Sequence, residues 1–373
     1  MTRRLQSPTI DVDELRSMLA ERQPVTVLDI RKAEDRAEWA IPGSLHIDAY
    51  EALKAGDPGA LADAAISMDA PVVTICGAGK VSITAMELLR ARGYDARSLT
   101  GGMKAWSLAW NSAELPVPGS AATVIQVRRT GKGCLSYLIG NDGQAIVIDA
   151  ALPPEVYQEL AAQHGWTITG VLDTHVHADH LSRSRLLAAA TGATLHMPEQ
   201  DRVTYPFTPI RDGDPLTIGS SRLTPMRTPG HTLESTSYLL DGKALFTGDT
   251  LFLAGVGRPD LEASPEQARD RARLLHASLR HLTALPSETL ILPGHTSEPA
   301  PFDNRPIAAT LAEVISRVAM LGLTQEAFLD AIMARIPPTP PNHAQIVALN
   351  EAGEMPDGDP TDLEAGANRC AVS

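Results

Sequence analysis

The stretch "LDTHVHADHL", residues 172–181, decides what kind of fold this chain can adopt. It places three of the chain's eleven histidines and two aspartates within eight positions, Asp173 to His180. The apolar run "ITGVL" ahead of it predicts a strand that ends where the polar residues begin. His175, His177, Asp179 and His180 then stand at positions i, i+2, i+4 and i+5, from which several side chains can converge on one centre. Four ionisable groups packed together would repel one another or stay unsatisfied unless a cation joined them. A single His–x–His pair reads more simply as a solvated loop. Here the layout recurs: "RTPGHT" (227–232) offers His231, "LFTGDT" (245–250) offers Asp249, and "LILPGH" (290–295) offers His295. Apolar strand, glycine, then a ligand-type side chain puts all of them on one rim of a sheet. The other six histidines follow no such pattern and read as ordinary residues.

The rest of the chain frames this cluster. Its 373 residues are enough for two domains with a small appendage, and 43% hydrophobic with 21% charged residues is an ordinary globular composition. A formal charge of −13 excludes a general nucleic-acid or anionic-membrane surface. No apolar run reaches the length of a membrane span, and no signal peptide is read at the start. Three scattered cysteines, Cys76, Cys134 and Cys370, do not form a disulfide framework, so a cytoplasmic setting is expected. Residues 1–112 alternate β-branched runs ("VTVLDI", "PVVTIC") with helical patterns, which predicts a largely parallel α/β sheet. The Pro- and Gly-bearing stretch 113–122 reads as a linker. In 123–310, "CLSYLIG" and "QAIVIDA" flank "NDG", a hairpin signal. "SPEQARDRARLLHASLRHLTAL" predicts a helix capped by Ser264 with Pro265 at its first position. Residues 311–373 read as a helical extension ending in a loosely held acidic tail.

A second stretch carries chemistry of its own. Cys76 closes a β-rich run and opens "CGAGKVS", the loop Gly77, Ala78, Gly79, Lys80, Val81 and Ser82 ahead of a helix. Successive backbone N–H groups beside a helix N-terminus stabilise an anionic sulfur, and Lys80 adds positive charge nearby. Cys134, in an apolar strand context, reads as core, and Cys370 as a surface thiol of the tail.

These motifs carry two resemblances. "VLDIRKAEDRAEWAIPGSLHID" (27–48), the cysteine loop and "SLTGGMKAW" (98–106) together resemble a single-domain rhodanese over about residues 8–110. Asp29 and Arg31 fit that family's Asp–x–Arg, and Cys76 falls where its persulfide-forming nucleophile does. Gly77 and Val81 stand where rhodanese loops commonly carry Arg and Arg or Thr. The sulfane-sulfur donor implied by the resemblance is thiosulfate or a similar compound. From about 121 to 310 the chain resembles a metallo-β-lactamase fold, an αββα sandwich, with all its metal motifs in family order. Within that superfamily "GCLSYLIGNDGQAIVIDA" and "GDTLFLAGVGRPD" resemble the persulfide dioxygenase branch, close to glyoxalase II.

The persulfide dioxygenase resemblance implies one Fe(II) per chain, held by His175, His231 and Asp249, with positions left for a thiol persulfide and O2. His177, Asp179, His180 and His295 would then orient the site, with Asp179 and Arg258 as further catalytic or bracing groups. Glutathione persulfide is the implied substrate; "GHTSEPAPFDNRP" (294–306) departs from the branch's usual stretch, which makes a related low-molecular-weight persulfide the alternative. The glyoxalase-II-like alternative is a thioester hydrolase with zinc or a mixed two-metal site, using all seven side chains and a bridging Asp249. A third reading is a non-catalytic sulfur relay or persulfide sensor. A homodimer is implied by resemblance alone.

Overall fold

The computed structural model describes residues 7–62, 64–366 and 368–372. The first domain is built on a five-stranded, fully parallel sheet in the spatial order Thr9–Ile10, Ala96–Leu99, Val72–Ile75, Thr26–Asp29, Leu45–His46. Its central strand, Val72–Ile75, is buried along its whole length, as a strand covered by helices on both faces must be. The helix Val81–Ala91 packs on one face through Ala85, Met86 and Leu89, and Leu15, Met103 and Trp106 cover the other. The strand–helix alternation read from the sequence is this sheet.

The second domain is four layers deep. A seven-stranded sheet runs in the order Thr208–Ile210, Thr194–Pro198, Thr167–Leu172, Gln144–Ile148, Leu135–Asn141, Thr123–Arg129, Trp110–Leu115. A six-stranded sheet faces it, in the order Leu216–Ile218, Ser221–Arg227, Thr236–Leu240, Ala244–Gly248, Leu290–Pro293, Ala309–Thr310. Alternation along single strands sorts the side chains between layers. Tyr137 and Ile139 point between the sheets, against Tyr238, Leu240 and Phe246, while Leu138 points outward onto Tyr157 and Leu160 of the helix Pro154–Gln163. On the far side Leu245 and Ile291 meet Leu275, Leu279 and Leu282 of the helix Pro265–Leu282. Each such fully buried apolar side chain contributes about 1.5–3 kcal/mol.

Two local signals are realised as expected. Asp142 and Gly143 turn the hairpin with φ of 48° and 76°, the positive pair that a two-residue hairpin with right-twisted strands requires. Ser264 caps the long helix through a reciprocal capping box with Gln267.

Two stretches differ from the sequence expectation. Ala113, Glu114 and Leu115, read as the start of a linker, pair with Gln126, Ile125 and Val124 at the edge of the seven-stranded sheet. The strand Trp110–Leu115 alternates partly exposed and buried positions, and the flanking prolines masked that pattern. Free connection is therefore confined to 116–122. The C-terminal tail is also not loose. Ala371 and Val372 form a two-stranded sheet with Gly257 and Val256, and Glu364 is fully buried between Arg129 and Arg183. No helix among the described residues is long and apolar enough to cross a membrane.

Candidate metal centre and sulfur loop

His175, His231, Asp249 and His295 each follow the C-terminal end of a strand, Thr167–Leu172, Ser221–Arg227, Ala244–Gly248 and Leu290–Pro293 respectively. The two facing sheets thus bring them to one rim, and all four are buried. Nε2 of His175 lies 3.9 Å, and Nε2 of His231 3.7 Å, from Oδ2 of Asp249. His175 Nε2 and Asp249 Oδ2 have no hydrogen-bond partner although both are buried. Two donors each about 2 Å from one ion stand roughly 3–4 Å apart, so this gap suits a cation. Orphaned buried polar atoms facing one another are otherwise costly, and the donor set fits a metal.

The outer nitrogens fix these side chains. His231 Nδ1–H donates to the carbonyl of Arg258 at 2.8 Å; a carbonyl only accepts, so the proton resides on Nδ1 and Nε2 keeps its lone pair. Thr174 Oγ1 donates to Asp149 Oδ2 at 2.9 Å and accepts from His175 Nδ1–H at 2.8 Å. Asp149 holds the left-handed region at φ 53°, an uncommon conformation for a non-glycine residue and one that clusters at functional sites. The same Asp149 takes His177 Nε2 at 3.2 Å, and His177 Nδ1 is left buried and unpartnered. Asp149 and Thr174 had no signal in the sequence beyond their place at strand ends.

A second cluster adjoins the first. His295 Nδ1 donates to Asp249 Oδ1 at 2.5 Å, and its Nε2 stands 2.9 Å from Asp179 Oδ2 as an ion pair without hydrogen-bonding geometry. His180 Nδ1 bonds Asp179 Oδ1 at 3.0 Å. Donor atoms of Cys134, Asp179, His180 and His295 all lie within 4.8 Å of one another, and those of Asp249, His295 and Cys370 likewise. Both thiols are therefore part of the centre and neither is merely core or surface. Cys134 arrives because its backbone bridges to His295, and Cys370 because the tail crosses the site. Asn368 donates to Asp179 Oδ2 at 2.8 Å, and Asn350 donates to the carbonyls of His177 and His180.

Charge divides the two clusters. Burial, reinforced by His177, pushes His175 well below the usual imidazole range, and burial lowers His231. Burial alone would raise Asp249, but His295, His175 and His231 outweigh it and keep the carboxylate ionised. The first set is thus neutral, neutral and anionic, the form in which these groups bind a metal. In the second set burial opposes charge on His180, yet Asp179 raises it to about 10, and Asp179 with Asp249 raises His295 well above its usual value. Burial would raise the Cys134 thiol, but the charge on His180 brings it down to about 6. Cys370 is pushed up by burial and by Asp179 and Asp249.

Arg258 does not face the centre. Its Nε and Nη2 clamp Asp260 at 2.8 Å each, and its Nη1 and Nη2 also hold the carbonyls of Pro337, Pro338 and Arg369. It braces the tail and, through its own carbonyl, His231.

In the first domain Cys76 is buried at the base of the loop, where Sγ lies 3.3 Å from Ser82 Oγ and accepts Ser82 N–H at 3.4 Å. Ser82 belongs to the first turn of the helix Val81–Ala91, so the sulfur sits at the positive end of that helix. Gly77, Ala78 and Lys80 are exposed. The carbonyls of Cys76 and Gly77 accept N–H of Met103 and Lys104. Gly102 is required here: a Cβ on it would stand 2.2 Å from the carbonyl oxygen of Cys76. Arg31 is bound to Asp29 at 2.8 Å and to the carbonyl of Trp39, and so fixes the segment 31–39, which lines a cavity together with Gly77.

Residues 129–295 match the family described as the metallo-beta-lactamase superfamily, and residues 11–109 the rhodanese-like domain. ETHE1 from Myxococcus xanthus superposes with a TM-score of 0.53 at 30% identity, over 66% of this chain and 100% of that one. The chain belongs to the metallo-β-lactamase superfamily. A rhodanese-like domain precedes the metallo-β-lactamase fold in it. A metallo-β-lactamase from Staphylococcus aureus subsp. aureus COL superposes with a TM-score of 0.58 at 28% identity, over 64% of this chain and 75% of that one. The hydroxyacylglutathione hydrolase of Fuscovulum blasticum is 39% identical over 41% of this chain. The chain spans only 58% of that hydrolase's length.

Proposed function

We propose that this protein is a sulfur-metabolism enzyme in which a rhodanese domain and a single-iron persulfide dioxygenase act on the same sulfane sulfur. In the first half-reaction the Cys76 thiolate attacks the sulfane sulfur of a donor such as thiosulfate, forming Cys76–S–S⁻ and releasing sulfite. A low-molecular-weight thiolate then attacks the outer sulfur, regenerating Cys76 and leaving as RSS⁻. In the second, RSSH, O2 and H2O give RSH, sulfite and two protons. The observation that carries this reading is the split of Asp249. Its Oδ2 is unpartnered and faces two histidine Nε2 atoms, a two-His, one-carboxylate set, while its Oδ1 is taken by His295.

His175, His231 and Asp249 would hold the iron. Fe(II) bound there supplies the redox chemistry that oxidation by triplet O2 requires. The chain's own groups do the remaining work. Thr174 and the Arg258 carbonyl hold the two imidazole protons on Nδ1, and Asp149 orients His177 through its Nε2. In the adjoining cluster His180 Nε2 is buried and unpartnered, and it would donate to an anionic persulfide received beside the site. Buried Cys370 and half-buried Asn368 of the tail cover the same edge.

The named hydrolase relatives favour a second reading, a two-metal thioester hydrolase with Asp179, His180, His295 and Asp249 around the second ion. The partial match to those hydrolases, against a match over the full length of ETHE1, weighs against carrying their name over. The deciding experiment loads anaerobically purified protein with Fe(II), counts metal, and adds glutathione persulfide. One iron per chain with oxygen uptake and sulfite formation supports the dioxygenase. Two metals per chain, no uptake, and oxygen-independent hydrolysis of S-lactoylglutathione would move the protein to the hydrolase reading. Cys76→Ser should abolish sulfur transfer and leave oxygen uptake from added persulfide intact.

A further inference from the structure

Three adjoining cavities run from Gly77, at the edge of the cysteine loop, to His295 beside the candidate metal centre. The first, about 260 Å3, is lined by Gly77, Arg31, Trp39, Lys104 and the tail residues Ala365 and Gly366. The last, about 250 Å3, is lined by His295, Thr296, Phe252, Asn368 and Arg369. A small void of about 10 Å3 sits between them, and it shares Glu38 and Trp39 with the first and Thr296, Ser297 and Asn368 with the last. One tail segment therefore walls both larger cavities, and the small void is the neck joining them. Across the neck Arg369 pairs with Glu38 at 3.3 Å; both side chains are substantially exposed, so the pair holds only weakly and can part.

The neck contains an unusual residue. Lys132 lines it, is only 7% exposed, and makes no hydrogen bond or ion pair among the described residues. Its stem is buried while its ammonium reaches the void, so it presents a cation there that no fixed counter-charge takes up. Two carboxylates line the neck as well: Glu38 is neutralised by Arg369, and Glu298 is exposed, so water and salt screen its charge. Thiosulfate, thiol persulfides and sulfite are all anions that such a cation would attract.

We propose that the groove is an internal route, with Lys132 as its anion subsite, along which a low-molecular-weight thiol persulfide made at Cys76 reaches the metal centre without leaving the protein. This rests on the functional reading above. The transfer itself adds no new bond chemistry: RSS⁻ leaves Cys76 as already balanced, moves past Lys132, and is oxidised with O2 and water at the second site. Arg369 and Glu38 separate to admit it, since the closed neck is too small.

The test is oxygen uptake driven by thiosulfate plus glutathione in the full-length Fe(II)-loaded protein. The unaltered chain is compared with a mixture of Cys76→Ser and Asp249→Asn chains that supplies the same number of each working site. The route predicts uptake several-fold faster, with a shorter lag, in the unaltered chain. Lys132→Gln should drop its rate to that of the mixture, and Lys132→Arg, which keeps the charge, should restore it. Both variants should leave sulfur transfer at Cys76 and oxygen uptake from added glutathione persulfide unchanged. Equal rates for the unaltered chain and the mixture would overturn the route. An equal loss of uptake from added persulfide in Lys132→Gln would also overturn it, placing Lys132 in the metal-site pocket. If the unaltered chain lacks either half-reaction assayed alone, the functional reading fails first and the route with it.

Discussion

Replacing Glu364 with Gln should release the C-terminal tail from the metal centre. Glu364 is fully buried and receives Arg129 Nη2 at 3.1 Å, Arg183 Nη2 at 2.8 Å and the Leu181 N–H at 2.7 Å. The Glu364→Gln change would remove the negative charge and leave two guanidinium groups buried against a neutral amide. Breaking a buried, hydrogen-bonded ion pair in this way costs about 3–5 kcal/mol. At about 1.4 kcal/mol per factor of ten, the population with the tail undocked should rise by two to more than three decades. Hydrogen exchange read on a peptide spanning 361–372 is the assay, because Ala371 and Val372 hold ladder bonds only while docked. Protection unchanged within about threefold would refute the reasoning, since it would mean the strand pairing alone holds the tail.

The same residue sets a pH dependence. Burial alone would raise the Glu364 carboxyl, but Arg129 and Arg183 outweigh it and hold it well below the ordinary range. The folded form therefore binds this proton more weakly than the unfolded form, whose carboxyl titrates near about 4.3. Its contribution is fully present above that value and is lost as pH falls toward the depressed folded value. Acid titration of tail protection should thus be steeper in the natural chain than in Glu364→Gln.

Three other substitutions probe the sites. His231→Ala should cost the metal, lowering oxygen uptake by more than ~100-fold while sulfur transfer at Cys76 persists; metal retained at one per chain would show that His231 is no ligand. Thr174→Val removes the hydroxyl joining His175 to Asp149 and should weaken metal binding by roughly 10–100-fold in a chelator competition, and unaltered binding would remove Thr174 from the site's support. Gly102→Ala should strain the cysteine loop by ~1–3 kcal/mol and depress sulfur transfer, leaving oxygen uptake from added persulfide as it was. Normal transfer in that variant would mean the loop tolerates displacement of the Cys76 carbonyl.

That the histidines gather at one rim was legible in the sequence because each follows a strand, so spacing along the chain maps directly onto a rim in space. The rest of the centre was hidden by distance along the chain. Asn368 reaches Asp179 across 189 positions, and Cys370 reaches the site only because Ala371–Val372 pairs with Val256–Gly257. Composition also misled: a Gly-, Pro- and acid-rich tail looks unanchored, yet its anchors are single polar contacts such as Glu364, which no hydropathy pattern reveals. Cys134 looked like core because it is buried in a strand context. What separates it from core is the charged pair Asp179–His180 beside it, a tertiary fact.

The tail gives the two domains a common dependence. Lys104, on the helix that supports the Cys76 loop, pairs with Asp359 and Asp362 at 3.1 and 2.5 Å. A few residues later Glu364 ties the chain to Arg183, Asn368 to Asp179, and Arg369 to Glu38. Undocking this one segment would therefore withdraw an ion pair from the helix behind the sulfur loop and uncover the metal cluster together. The exposed pairs of Lys104 are individually weak, so the buried Glu364 must supply most of the docking energy. It follows that Glu364→Gln should disturb both half-reactions, whereas Lys104→Ala should leave the tail docked and the metal centre unchanged.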